Sequence, residues 1–390
     1  MKQTDKNNKT AAKADLPVRI ENSFPGKILI FLFDISFIII RKFLSSFRSK
    51  NGNLIIISLH RLGDTVFTVP AIREILNHYK NYSKIIFCYE ESGSIYKKIF
   101  EDRIIILNKN HFKFGSRIAT SGLRKILKTN DPEIIFDLTG AVNSASLIFN
   151  STASQIIGMN DRIFKNIYSK YIRKRKAPHL IDTYLDVADL VIPVERNHEV
   201  YLFKYNENKN GKIFIHPFAG WKAKEWNLEK FIQLGKTLNN NYEVVFISKN
   251  DAFSNKTRSE LKKLNIEVIT TQTVDDLIAE LGKCSLIISN DSGPVHLASM
   301  FGIPTFSIYG PTNPLYSAPS GEHHEFIQKK IECSPLENKQ YCLTDAGRSG
   351  CPSFDCMNFL TIDEVLQKLY PFLNRIEIKP KIEVADDKSK

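Results

Sequence analysis

From Asn53 onward the chain alternates short β-branched apolar runs with segments of helical period. Leu54–Ile57 reads as a buried strand, followed by a helix near Thr65–Tyr79, and Lys84–Tyr89, Ile104–Leu107 and Glu133–Asp137 read as further strands. A polar stretch, 206–211, resets the pattern. The second series predicts strand Lys212–Ile215, helix Leu228–Leu238, strand Glu243–Ile247, helix Val274–Leu281, strand Ser285–Ile288, a short helix after Asp291 and strand Thr305–Ile308. Such alternation implies an α/β fold with parallel sheets covered on both faces. Two series imply two Rossmann-like domains facing a central cleft that suits a nucleotide-bearing ligand. Leu360–Tyr370 reads as a capped amphipathic helix. The resulting division is a leader and apolar helix at 1–52, one domain at 53–205, a second at 206–372 and a charged tail at 373–390.

The leader has its own pattern. Residues 1–20 are polar and lysine-rich, as in a disordered segment. Ile28–Ile40 is apolar apart from Asp34 and Ser36, but its 13 residues fall short of the roughly 20 that span a bilayer. It begins too deep for a secretory signal, and no small-residue cleavage site follows. Arg41, Lys42, Arg48 and Lys50 come next, as expected of a helix lying at a membrane interface. A helix packed on the protein's own surface is the competing reading.

Charge sharpens this picture. The formal net charge is +12, and residues 1–50 carry ten Lys or Arg against four Asp or Glu. A second basic run, Lys170–Lys176, contains Lys174 and Arg175. Separated patches suit an anionic surface or acidic acceptor better than a nucleic-acid groove, and no helix-turn-helix, zinc-finger or RNA-recognition signature is present. Six cysteines without a cleavable signal point to a reducing compartment. Cys88 and Cys284 sit in apolar strands as packing residues, whereas Cys333, Cys342, Cys351 and Cys356 crowd near the C-terminus.

Three segments carry chemistry, each between a strand and a helix. Ser58–Thr65 holds Arg61, Gly63 and Asp64, where Asp64 caps the helix or faces a ligand beyond the strand ends. His216–Trp226 holds Gly220, Lys222 and Lys224, a combination of small residues and cations suited to an anion. Ser289–Ala298 holds Asp291, Ser292, Gly293, Pro294 and His296. There the amides of Ser292 and Gly293 suit a diphosphate, Asp291 suits sugar hydroxyls, and Pro294 fits a first helical turn. A lone histidine such as His296 on an apolar helix is as readily a core residue. A further turn, Tyr309–Asn313, is also of phosphate size. The G-x-G-x-x-G needed after the first strand by a nicotinamide dehydrogenase is missing.

In order and spacing the chain resembles the lipopolysaccharide heptosyltransferases, glycosyltransferase family nine, over roughly residues 53–370. The likeness rests on R-L-G-D-T-V with P-A-I-R (61–73), D-L-T-G (137–140), K-x-W (224–226), D-S-G-P-V-H-L-A (291–298) and G-I-P-T…Y-G-P-T (302–312). The resemblance implies the GT-B architecture and metal-independent, inverting transfer of heptose from ADP-heptose to the inner core of lipopolysaccharide or lipooligosaccharide, without a cofactor. It makes Asp64 the general base. Lys224, Lys222, Gly220, Asp291, Ser292, Gly293 and His296 would bind the donor, with Lys222 a spare cation. Arg61, Gly63, Lys174 and Arg175 would bind a lipid-linked anionic glycan acceptor in the N-terminal domain. The family's proline after the tryptophan is here Asn227, which loosens the helix start and removes no functional group.

The late cysteines lack paired C-x-x-C spacing; structural zinc, reduced thiols and a partial disulfide all stay open. So do a related transferase using another nucleotide sugar and a catalytically inactive membrane-associated scaffold. The expected location is cytoplasmic, peripheral on the inner face of the bacterial inner membrane.

Overall fold

The computed structural model describes residues 24–44, 47, 50–160, 164–198, 211–250, 252–342, 351 and 353–381. The leader 1–20, most of the polar 206–211 stretch and residues 382–390 of the tail lie outside them.

Among the described residues fourteen strands are formed: β1 Asn53–Ser58, β2 Ser83–Tyr89, β3 Arg103–Leu107, β4 Phe112–Lys113, β5 Ile118–Ala119, β6 Ile134–Asp137, β7 Gln155–Met159, β8 Lys170–Ile172, β9 Lys212–His216, β10 Val244–Lys249, β11 Glu267–Thr271, β12 Cys284–Asn290, β13 Thr305–Tyr309 and β14 His324–Gln328. One six-stranded sheet runs β3-β2-β1-β6-β7-β8 and the other β11-β10-β9-β12-β13-β14, while β4 and β5 make a small antiparallel hairpin. The two large sheets share the Rossmann order, in which the first and fourth strands of each series are neighbours. In this order the switch point of each sheet lies at the carboxyl ends of its central strands, and the three candidate segments follow β1, β9 and β12. The central strands β1, β6, β9 and β12 are buried along almost all their length, as the unbroken β-branched runs imply.

The elements missed by pattern are mostly short or peripheral. β8 lies within the Lys170–Lys176 basic run: Lys170 and Tyr171 are exposed on an edge strand paired to β7. Lysine on a sheet edge discourages further pairing, so the charge is compatible with a strand. β14 is likewise an edge, and β11 has a half-buried pattern without strict alternation.

Close packing groups the chain into two compact units, one drawn from Met1–Ile57, Asn81–Ser83 and Asn108–Lys174, the other from Ser58–Lys80, Lys84–Leu107 and Arg175–Lys390. In the first, the D-L-T-G segment is a turn that leaves the sheet with Asp137 and Leu138 buried and Thr139 and Gly140 half-buried. Asp137 accepts hydrogen bonds from the amides of Thr139 (2.9 Å) and Gly140 (3.2 Å) and from the Tyr168 hydroxyl (2.7 Å). Burial raises the Asp137 pKa, and these donors oppose the rise. Gly140 has φ +59°, and a Cβ there would lie 2.4 Å from Met159 Cγ and 2.5 Å from the Met159 carbonyl oxygen. Backbone cannot yield as a flexible side chain can. Gly140→Ala should therefore cost about 3 kcal/mol or more, read as a lower urea midpoint with an unchanged m-value.

The second unit builds its core from Ile213, Ile215, Trp226, Phe231, Phe246, Ile288, Phe306 and the C-terminal helix. That helix, Ile362–Arg375, is capped by Thr361, whose hydroxyl accepts from the Glu364 amide while the Glu364 side chain returns to the Thr361 amide. Leu373, Ile376 and Ile378 are buried in this core, so the packed chain runs past the 372/373 boundary read from composition.

Candidate active site

β1 ends at Ser58, and the chain turns through Arg61, the N-cap, into the Leu62–His78 helix. Asp64 is not the cap. It stands in the first helical turn, exposed, with no hydrogen bond or ion pair to a described residue. Beneath it a buried polar web fixes the turn. Thr65 Oγ1 bonds the Arg61 carbonyl (3.0 Å) and Ser92 Oγ (2.7 Å), and Ser92 Oγ donates to the His60 carbonyl (3.1 Å). The Tyr96 hydroxyl bridges Ser58 Oγ (2.7 Å) and Thr68 Oγ1 (2.6 Å). Tyr96 and Ser92 come from the helix after β2, a place the motifs did not mark.

The loops after β9 and β12 are tied to one another. Asn290 donates to the Pro217 carbonyl (2.8 Å) and accepts from the Trp226 amide (3.0 Å), so a single buried side chain links both. Lys224 Nζ lies 2.6 Å from Asp291 Oδ2, and the Thr312 hydroxyl reaches the same oxygen at 2.7 Å. His296 Nε2 is 3.4 Å from Asp291 Oδ1. Burial alone would raise the Asp291 pKa, but Lys224, then His296, hold it well below the usual carboxylate range. Asp291 is thus a buried carboxylate largely committed to its neighbours. Lys222, by contrast, is 80% exposed and paired with Glu225 at 2.8 Å.

Ser292 occupies the N-cap position of the Gly293–Met300 helix, its hydroxyl turned to Ser289 Oγ (2.9 Å), and Pro294 stands in the first turn. Two glycines let this helix start approach that of Leu62–His78. A Cβ on Gly63 would meet His296 Cδ2 at 3.4 Å, and one on Gly293 would meet Leu62 Cδ2 at 2.9 Å. Phe67 closes the junction, its ring centroid 4.8 Å from that of His296.

These parts line one cavity of about 790 Å³. Arg61, Gly63, Asp64, Gly220, Lys222, Lys224, Asp291, Ser292, Gly293 and His296 all border it. Lys174 and Arg175 do not. Arg175 instead lies 2.7 Å from Asp182 and 2.8 Å from Asp186, in a cluster that also holds Arg196 and His198. Thr312, Asn313, Tyr316, Trp221 and Tyr341 also line it; Trp221 belongs to the His216–Trp226 segment and Thr312 and Asn313 to the Tyr309–Asn313 turn, whereas Tyr316 and Tyr341 carried no mark in sequence. Trp221 supports Lys224, whose ammonium sits 4.8 Å from the indole centroid.

No disulfide joins the described cysteines. Cys333, Cys342, Cys351 and Cys356 border a separate cavity of about 30 Å³. Among the described residues no three His, Cys, Asp or Glu side chains are arranged to hold a metal ion.

Burial also sets the acid stability of this unit. It lowers His179 and His216 to about 4 from an ordinary 6.5, with His198 adding to the effect at His179. His324 falls to about 3, through burial and then His323. Folded-state values below the unfolded value mean that only the unfolded chain takes up these protons between them. The stability is fully present above pH 6.5 and is lost as pH falls towards 4, by about 3 kcal/mol per histidine at the limit. Urea midpoints should be level above pH 7 and lower at pH 5; equal midpoints at pH 7.5 and 5 would contradict this.

The comparisons with known proteins agree with one another. A family model described as glycosyltransferase family 9 (heptosyltransferase) matches residues 121–345. Lipooligosaccharide heptosyltransferase 2 of Campylobacter jejuni is 26% identical over 324 residues, covering 79% of this chain and 94% of that protein. A glycosyl transferase family 9 structure from Veillonella parvula superposes with TM-score 0.66 at 19% identity, covering 83% of this chain and 98% of its own. E. coli heptosyltransferase WaaC with ADP-2-deoxy-2-fluoro heptose gives TM-score 0.59 at 16% identity, covering 82% and 99%. The structural likenesses establish the GT-B fold, with its two Rossmann-like domains.

Proposed function

This chain belongs to glycosyltransferase family 9, the heptosyltransferases, and on that premise we propose that it moves heptose from ADP-heptose onto the inner core of lipopolysaccharide or lipooligosaccharide. The observation that carries the proposal is the single cavity onto which Asp64, the Lys224–Asp291 pair and the Ser292–Gly293 helix start all open. The names of similar proteins support the sugar and the acceptor: one acts on lipooligosaccharide, and another is seen with an ADP-heptose analogue.

Chemically, the acceptor hydroxyl attacks the anomeric carbon as its bond to the diphosphate oxygen breaks. Asp64 takes the hydroxyl proton, and its place in the first helical turn holds it clear of competing partners. Negative charge grows on the departing diphosphate, where Lys224 and the amides of Ser292 and Gly293 offer fixed positive potential. Asp291 orients Lys224; three partners on its two oxygens make positioning, more than sugar contact, its assigned role. One displacement inverts the anomeric centre. The donor is a substrate, and no cofactor enters this scheme. A lipid-linked acceptor puts the work at the cytoplasmic face of the inner membrane.

The test is a donor screen. Purified protein is offered ADP-heptose and GDP-, UDP- and dTDP-sugars with truncated lipid A acceptors, and products are identified by mass spectrometry. Transfer with ADP-heptose alone is expected. Preference for a UDP-hexose would retire the heptose assignment and leave the family and fold in place.

A further inference from the structure

The Phe24–Leu44 helix has two unlike faces among its described side chains. Phe37 is buried, its ring centroid 6.2 Å from that of Phe149 and 6.1 Å from that of Phe164. One turn on, Arg41 donates to the carbonyls of Ser151 (2.9 Å) and Ala153 (3.1 Å). These contacts fix the helix lengthwise on its own unit and set its rotation. Leu32, Ile35, Ile39 and Phe43, spaced three, four and four residues apart, then form one outward stripe. Leu32 is 56% exposed, Ile39 63% and Phe43 67%, and Ile38 and Phe47 extend the patch. Six of the thirteen large exposed hydrophobics among the described residues fall within 32–47. Single exposed hydrophobics are ordinary, whereas a continuous stripe marks a surface that something covers.

Charge decides what covers it. Lys42 and Lys50, within and shortly after the helix in sequence, are exposed, and the first 50 residues carry ten basic side chains against four acidic. A second copy of the chain would set this excess against itself, while an anionic lipid surface complements it. No helix among the described residues is long and apolar enough to cross a membrane. We propose that the Phe24–Leu44 helix lies in the plane of an anionic bilayer, with Phe37 and Arg41 clamping it to the protein and the Leu32–Ile35–Ile39–Phe43 stripe seated among the acyl chains. This deepens the membrane-face reading above by naming the element that docks; it does not depend on which sugar is moved.

The test uses the full chain and vesicles of phosphatidylethanolamine with phosphatidylglycerol, against vesicles of phosphatidylcholine. Wild type should sediment with the anionic vesicles and be released in part by 0.5 M salt, a concentration at which the screening length is only about 4–5 Å. The double variant Ile39→Glu, Phe43→Glu should bind at least about tenfold more weakly with an unchanged melting temperature. Phe114→Glu, at a phenylalanine 78% exposed outside this helix, should bind like wild type. Transfer to a lipid-free acceptor oligosaccharide should be equal in wild type and the double variant. Equal vesicle binding by wild type and the double variant would overturn the proposal. So would a wild-type dimer that the double variant turns into a monomer. Failure of transfer by every variant, with vesicle binding as described, would count against the proposed activity and leave the docking helix standing.

Discussion

Asp64→Asn should lower the transfer rate about a thousandfold while leaving the melting temperature within a degree or two of wild type. General-base catalysis contributes about 10² to 10⁴ in rate, and asparagine keeps the shape of the side chain without its basicity. The two readouts separate because the Asp64 carboxylate is exposed and makes no hydrogen bond or ion pair to a described residue. Its structural contribution is that of a negative charge in the first turn of a helix, roughly 0.3–1 kcal/mol. The turn itself is held by Thr65, Ser92 and Tyr96, all untouched by the change. A rate within tenfold of wild type, measured at saturating donor and acceptor, would show that the base is elsewhere or is not needed.

Lys224→Met should act on both stability and rate. Its ammonium is the 2.6 Å partner of a carboxylate that is only 4% exposed, so removing it leaves Asp291 charged in a buried place, with Thr312 and His296 as the side chains that still reach its oxygens among the described residues. Breaking a buried pair from one side costs about 3–5 kcal/mol. Loss of one charge-stabilising group costs about 10²–10³ in kcat. The double variant Lys224→Met, Asp291→Asn distinguishes these effects, because a neutral amide no longer needs a cation. Most of the lost stability should return in the double variant, and the rate should not. If rate recovered together with stability, Lys224 would be a structural residue alone.

Sequence and structure part company in an instructive way. The loops carrying Asp64, Lys224 and Asp291 were legible because each follows a run of buried β-branched residues and opens with small or polar ones. That syntax places a loop at the carboxyl end of a central strand whatever the tertiary detail. Residues that reach these loops from elsewhere had no such mark. Tyr96 is one aromatic in a short helix, and only the fold brings its hydroxyl between Ser58 and Thr68. Asn290 stands inside the marked Ser289–Ala298 segment, yet nothing in its local sequence shows that its amide ties the β9 and β12 loops. Charge misled in the reverse direction. Arg175 looked available to an anionic acceptor, but Asp182 and Asp186, on a neighbouring helix in sequence, take up its guanidinium. A composition argument sees only the local excess of cations; their partners here lie seven and eleven residues further on.

The central claim is that the donor diphosphate and the base share one cavity, and a crystal structure with ADP tests it most directly. The diphosphate should lie at the Ser292–Gly293 helix start, with a terminal oxygen about 3 Å from Lys224 Nζ and the Asp64 carboxylate facing the same space. ADP bound on another surface, with Lys224 still closed on Asp291 and nothing at the helix start, would contradict the account.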